Sequence, residues 1–141
     1  MPAPDIRIEL NSGEFGPADS RELVERLRAE TGLRVESELF DFYSEGSPVI
    51  PEVIVTVLYT LFPLGDIYAG LISSMLWDAA KTAHARLGRE GSEATFYIRK
   101  VDEEGRILKA VGGQTRDPEI IKDLIRRADE EGEDDNFHLP I

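Results

Sequence analysis

Between Val53 and Trp77 the chain runs for 25 residues, VIVTVLYTLFPLGDIYAGLISSMLW, with one formal charge, Asp66. A run this apolar must be buried in a core, laid in a membrane or closed against another copy. A spanning helix needs about 20 consecutive apolar residues. Pro63, Gly65 and Asp66 interrupt the run near its middle, and an acid at mid-bilayer costs about 2.5–3.5 kcal/mol. The stretch therefore reads as two core elements meeting at Pro63–Asp66, one face of which is free to act as a seam. Its first half, Val53–Phe62, is rich in β-branched residues, which favours a strand. Pro51 just before it suits the first position of a helix, so helix and strand both stay open there. Its second half, from Asp66 to about Leu87, is a helix: Leu71, Ile72, Met75, Leu76, Ala79, Ala83 and Leu87 recur at three- and four-residue spacing.

Around this centre the chain is charged and amphipathic. Ile6, Ile8 and Leu10 alternate with Arg7 and Glu9, as on a half-buried strand, and Gly16-Pro17 follows as a break. Asp19 with Glu22 predicts a capped helix over Ser20–Thr31, closed by Gly32. Arg34–Tyr43 is a second strand, with Val35 and Leu39 on one face and Glu36, Glu38, Phe40 and Phe42 on the other. Strand, helix and strand in succession imply a crossover and two parallel strands. Glu93–Val101 and Arg106–Val111 form a hairpin around Asp102–Gly105, with Phe96 and Ile98 on one side and Tyr97, Arg99 and Val101 on the other. Gly112-Gly113 is expected to end it. Asp117-Pro118-Glu119 opens a last helix with the stripe Ile120, Ile121, Leu124, Ile125 and Ala128, ending near Gly132. The expected fold is α/β (or α+β): one domain over 1–131 with a mixed sheet of about four strands, and an acidic, mobile tail over 132–141.

The chemistry-bearing residues are sparse. The 141 residues hold no cysteine and two histidines, His84 and His138. His84 sits six positions from Asp78, on a different helix face, and is expected at the surface or boundary. A zinc site needs three or four ligands at workable spacing, which is missing. Ser73 and Ser74 lie inside an apolar helix, where bonding back to helix carbonyls accounts for them. The acidic run DEEGEDDN lacks EF-hand spacing, and Gly112-Gly113 is followed by no Lys-Ser/Thr. The expectation is no enzyme, no cofactor and no metal. The formal net charge of −12 argues against nucleic acid as a partner. The start, MPAPDIRIEL, lacks the basic opening and apolar run of a signal peptide, and a cytoplasmic location is expected. The charge is uneven. No Lys or Arg falls between Val35 and Ala80, whereas Arg86, Arg89, Arg99, Lys100, Arg106 and Lys109 gather near the hairpin as one basic patch.

The layout resembles the effector-associated constant component domains of bacterial conflict systems. The likeness covers the opening strand–helix–strand, the apolar middle, and above all FYIRKVDEEGRILKAVGG followed by DPEIIKDLIRRA. The resemblance implies an adaptor that brings components together by like-with-like association, and it carries over no catalytic residue. The function expected is thus a non-enzymatic protein–protein interaction domain of a defence or signalling system, binding a nearby effector or itself. Its contact residues are expected among the aromatics Phe40, Phe42, Tyr43, Tyr59, Phe62, Tyr68 and Trp77, with Arg99 and Arg106 from the hairpin. The alternative is an acidic inhibitor, an immunity protein or nucleic-acid mimic that neutralises a basic toxin or nuclease with the acids of residues 36–52 and 117–135.

Overall fold

Five strands form one sheet in the order β2-β1-β3-β4-β5 in the computed structural model, which describes residues 4–11, 14–40, 53–60 and 65–130. The elements run β1 (Ile6–Asn11), α1 (Pro17–Thr31), β2 (Val35–Phe40), β3 (Ile54–Tyr59), α2 (Gly65–Arg86), β4 (Ala94–Val101), β5 (Ile107–Thr115) and α3 (Pro118–Asp129). The α/β class holds, with one strand more than expected. That strand is β3, the half of the apolar run left open between helix and strand. β-Branching prevails over the helix-start signal of Pro51, because every second residue of β3 can be covered: Val55, Val57 and Tyr59 are fully buried.

Side-chain alternation and strand register together define the core. β1 is parallel to β2 and antiparallel to β3, with Ile6 opposite Tyr59 and Ile8 opposite Val57. β3 is parallel to β4, with Val55 opposite Phe96 and Val57 opposite Ile98, and β4 is antiparallel to β5. Ile6, Ile8, Leu10, Val35, Val55, Val57, Tyr59, Phe96, Ile98 and Val111 therefore share one face, and all are buried. The three helices form a layer on that face, α2 touching both α1 and α3. Each contributes a stripe: Leu23, Val24 and Leu27 from α1, Ile72, Leu76, Ala80 and Ala83 from α2, and Ile121, Leu124, Ile125 and Ala128 from α3. Each fully buried Leu or Ile contributes about 1.5–3 kcal/mol of hydrophobic stabilisation.

Several local expectations need correction. α1 starts three residues earlier than Ser20. Gly16 is its N-cap and Pro17 its first residue, so Gly16-Pro17 begins the helix instead of preceding it as a break. Asp19 caps from inside the helix, its Oδ2 accepting the Gly16 N–H at 2.7 Å. Gly112 and Gly113 do not end β5. They lie opposite Tyr97 and Phe96, and Gly113 packs beneath Leu124 of α3. Ile120 departs from the α3 stripe and is 42% exposed. His84 is not at the surface but 3% exposed in the helix layer. The expected Gly32 C-cap is present in the left-handed region at φ 71°, its N–H donating to Arg28 O. Asp117 caps α3 by accepting the Glu119 N–H at 2.9 Å, and Ser73 Oγ donates to Gly70 O as expected.

Polar clamps fasten the layers. Tyr59 Oη donates to Asp129 Oδ1 at 2.5 Å, and Lys109 Nζ donates to Glu130 O at 3.0 Å, so β3 and β5 both hold the C-terminal end of α3. Arg26–Asp78 at 3.5 Å and Arg86–Asp19 at 2.6 Å join α1 to α2. At the start of β1, hydrogen bonds from Arg34 hold the Asp5 carboxyl below the usual carboxylate range. The expected tail over 132–141 and the loop residues 41–52 lie outside the described residues. Among the described residues no helix is long and apolar enough to cross a membrane.

Candidate functional site

Burying every second strand residue under three helices leaves the alternate set on the opposite face, where the described residues place no helix. The strand register lays this set out in rows. Glu36, Arg7, Leu58, Arg99 and Ala110 form one row across the sheet, and Glu38, Glu9, Thr56, Tyr97 and Gly112 form the next. Leu58, Tyr97 and Arg99 are half-buried, while Glu36 and Glu38 are exposed. The face is divided by charge. Glu9, Glu36 and Glu38 make its β1–β2 half acidic. Arg7 stands among them, pairing with Glu38 and, at 3.6 Å, with Glu9. The β4 half is aromatic and basic, with the Arg99 guanidinium 5.8 Å from the centre of the Tyr97 ring. Further along the same face Gln114 Nε2 donates to Thr95 Oγ1 at 3.3 Å.

One end of this face opens into a recess of about 400 Å³, lined by Arg7, Glu9, Leu58 and Val101 and by the hairpin-turn residues Asp102 and Glu103. Asp102 holds the turn in shape: its Oδ1 accepts the N–H groups of Glu104 and Arg106, and its Oδ2 accepts Arg106 Nε at 2.9 Å. Backbone bonding at Arg106 is the main reason its carboxyl lies below the usual range. A surface of this kind, with an aromatic–arginine pair beside an apolar strip and acids at the margin, is suited to recognising another protein by shape and charge.

The expected contact residues disperse. Arg99 is on the open face, and Phe40 sits half-buried at the end of β2. Tyr59 is fully buried and bonded to Asp129, so it belongs to the core and not to a contact surface. Tyr68 and Trp77 are partly buried on α2 and pack against the core from the helix side. Arg106 is exposed at the hairpin turn, tied to Asp102 and Glu104. Phe42, Tyr43 and Phe62 lie outside the described residues. Three members of the expected basic patch are engaged within the fold. Lys109 is buried on Glu130 O, Arg86 is spent on Asp19 and Arg106 on the turn acids. Arg7, Glu9, Leu58 and Tyr97 were absent from the expected set. Alternation already put Arg7, Glu9 and Tyr97 opposite the core-facing residues, but it does not reveal which face the helices leave open.

Among the described residues no cluster of three His, Asp or Glu side chains is placed to hold a metal. His84 is a buried titratable group of the helix layer. Burial pushes its imidazole below the ordinary histidine value, the nearby Arg89 adds to this, and the Glu93 backbone opposes it. It lines a small recess with Trp77, Lys81, Ala85, Glu90 and Gly91, which supplies no hydroxyl nucleophile. Comparison with family models, with curated proteins and with solved structures finds no match to this chain.

Proposed function

We propose that the chain is a non-enzymatic protein-interaction adaptor of a bacterial defence or signalling system, acting in the cytoplasm, and that its open sheet face receives the partner. The observation that supports this is the row Arg7–Leu58–Arg99 beside Tyr97, half-buried and charge-divided on the face away from the helices. Tyr and Arg, with Trp, are enriched at the energetic centre of protein contacts. The defence setting comes from the family resemblance of the hairpin and last helix.

The test is binding to proteins encoded beside this one, with Tyr97→Ala and Arg99→Glu as probes. Each is expected to weaken the complex about tenfold or more. A partner that binds both variants as tightly as the wild type removes this face from the reading. A second reading, an acidic inhibitor of a basic toxin or nuclease, draws on Glu9, Glu36 and Glu38 and on the net charge of −12. Salt separates the two. Association through the acids weakens steeply as ionic strength rises, whereas a contact centred on Leu58 and Tyr97 persists.

A further inference from the structure

Among the described residues one buried side-chain nitrogen or oxygen lacks a hydrogen-bond partner, and it is Nδ1 of His84. Buried polar atoms are nearly always bonded, so an exception calls for a physical account. Nδ1 is out of reach of solvent, so bulk water does not satisfy it. The other ring nitrogen is engaged. The Glu93 backbone favours the protonated imidazole, as a carbonyl accepting from a ring N–H does, and with Nδ1 unpartnered that N–H is on Nε2. A neutral imidazole protonated at Nε2 keeps a lone pair on Nδ1. Nδ1 is therefore an acceptor without a donor.

The same ring walls a recess. Trp77, Lys81 and His84 follow at four- and three-residue spacing along one stripe of α2, and Glu90 and Gly91, from the segment before β4, complete the wall. The recess holds about 270 Å³. A water takes up about 30 Å³, whereas an apolar cavity of about 150 Å³ accepts benzene. The volume thus suits a single aromatic ring with a substituent. The wall is largely apolar, with the half-buried Trp77 as its largest side chain. Its two charged residues, Lys81 and Glu90, are opposite in sign and both exposed, so the recess has no net charge to draw in an ion.

We propose that this recess binds a small neutral molecule made of one aromatic ring and one O–H or N–H donor, its ring against Trp77 and its donor on His84 Nδ1. Lys81, exposed and one turn before His84, is the side chain that moves aside to admit it. Two features set the class of ligand. The ring covers the apolar wall, which a wholly polar solute would leave uncovered. The donor supplies the bond that Nδ1 lacks, which a hydrocarbon cannot do. A carboxylate or phosphate is disfavoured, because Nδ1 offers it a lone pair and not a proton. The recess lies in the helix layer, on the opposite side of the sheet from Leu58, Tyr97 and Arg99. The proposal therefore goes beyond the adaptor reading, and each can fail without the other.

Phenol and toluene are the probes, the same ring with and without the donor. Trp77 is the chain's one tryptophan, so its fluorescence reports the recess without a label. Phenol titrated into the full chain should give a saturable change at millimolar concentration or below. Toluene should bind about tenfold more weakly, or not at all. The nitrogen NMR resonance of His84 Nδ1 should move as phenol binds, because its lone pair takes up a hydrogen bond. His84→Leu keeps an apolar wall and removes the acceptor, and should bring phenol down to the level of toluene. If that variant does not fold, the two-probe comparison and the Nδ1 resonance of the wild type decide the question alone. No saturable change with phenol, equal affinity for the two probes, an Nδ1 resonance indifferent to phenol, or a preference for phenol that survives His84→Leu overturns the proposal.

Discussion

Replacing Tyr59 by Phe should destabilise the fold by a predictable amount and change its response to alkali. The Tyr59 ring is fully buried on β3, and its hydroxyl donates to Asp129 Oδ1 at 2.5 Å in the last turn of α3. Phe keeps the ring, so no cavity opens. What is lost is one hydrogen bond to a carboxylate, worth about 1.5–3 kcal/mol. For 141 residues the unfolding entropy is near 0.3 kcal/mol/K, so the midpoint should fall by about 5–10 °C. The pH dependence adds an independent check. Burial first, and the Asp129 bond second, push the Tyr59 hydroxyl well above the ordinary tyrosine value. Above about pH 10 the unfolded chain releases this proton while the folded chain keeps it. The folded state then binds more protons, so stability falls with rising pH, by up to about 1.4 kcal/mol per pH unit from this residue. Tyr59→Phe lacks this loss. Thermal and urea melts of both proteins from neutral pH to above pH 10 should show a gap that narrows at the alkaline end. A variant as stable as the wild type at pH 7, or a gap constant with pH, would refute the assignment of Tyr59 as a clamp between sheet and α3.

Two further substitutions probe buried polar groups. Asn11 is fully buried, its Oδ1 accepting the Ile54 N–H at 2.9 Å and its Nδ2 donating to Glu14. Asn11→Ala should cost about 1–3 kcal/mol in a urea melt by stripping a partner from the buried Glu14 carboxyl and from the part-buried Ile54 N–H; a cost under about 0.5 kcal/mol would show that the site relaxes or hydrates. For His84, burial disfavours the cation, so the unfolded chain takes up a proton below about pH 6.5 that the folded chain refuses. Stability of the wild type should therefore drop as pH falls through that value. His84→Leu should remove this part of the acid loss, and identical pH slopes for the two proteins would exclude it.

Much of the layout is legible because local signals agree with burial. The period of α2, the Asp117-Pro118 start of α3, the left-handed Gly32 and the alternation of β1 and β4 each follow from a few adjacent residues. What is not legible is tertiary. β3 reads as strand or helix until Val55, Val57 and Tyr59 meet the register of β1 and β4. Gly112-Gly113 reads as a stop until Leu124 is seen to pack over Gly113, where a side chain would meet it at 3.8 Å. Tyr59 counts as a surface aromatic by type and as a core residue by position. The contact residues fared worst because aromatic and basic character says nothing of which sheet face the helices cover.

That coverage follows from a small geometric fact. β1→α1→β2 and β3→α2→β4 are two crossovers between parallel strands, stepping outward in opposite directions from β1 and β3. Crossovers of this kind share one hand almost without exception. Because β1 and β3 are antiparallel, the same hand in opposite directions puts α1 and α2 on the same face. Had β1 and β3 been parallel, the rule would have put the two helices on opposite faces and buried both, as in doubly wound folds. The hairpin then returns the chain so that α3 can pack on β5 and against α2, completing one layer. The open face is thus a product of a single antiparallel pairing at the centre of the sheet. The same pairing explains why β1 and β4 keep Arg7, Glu9, Tyr97 and Arg99 on the outward side of otherwise apolar strands: among the described residues those positions have no helix to meet.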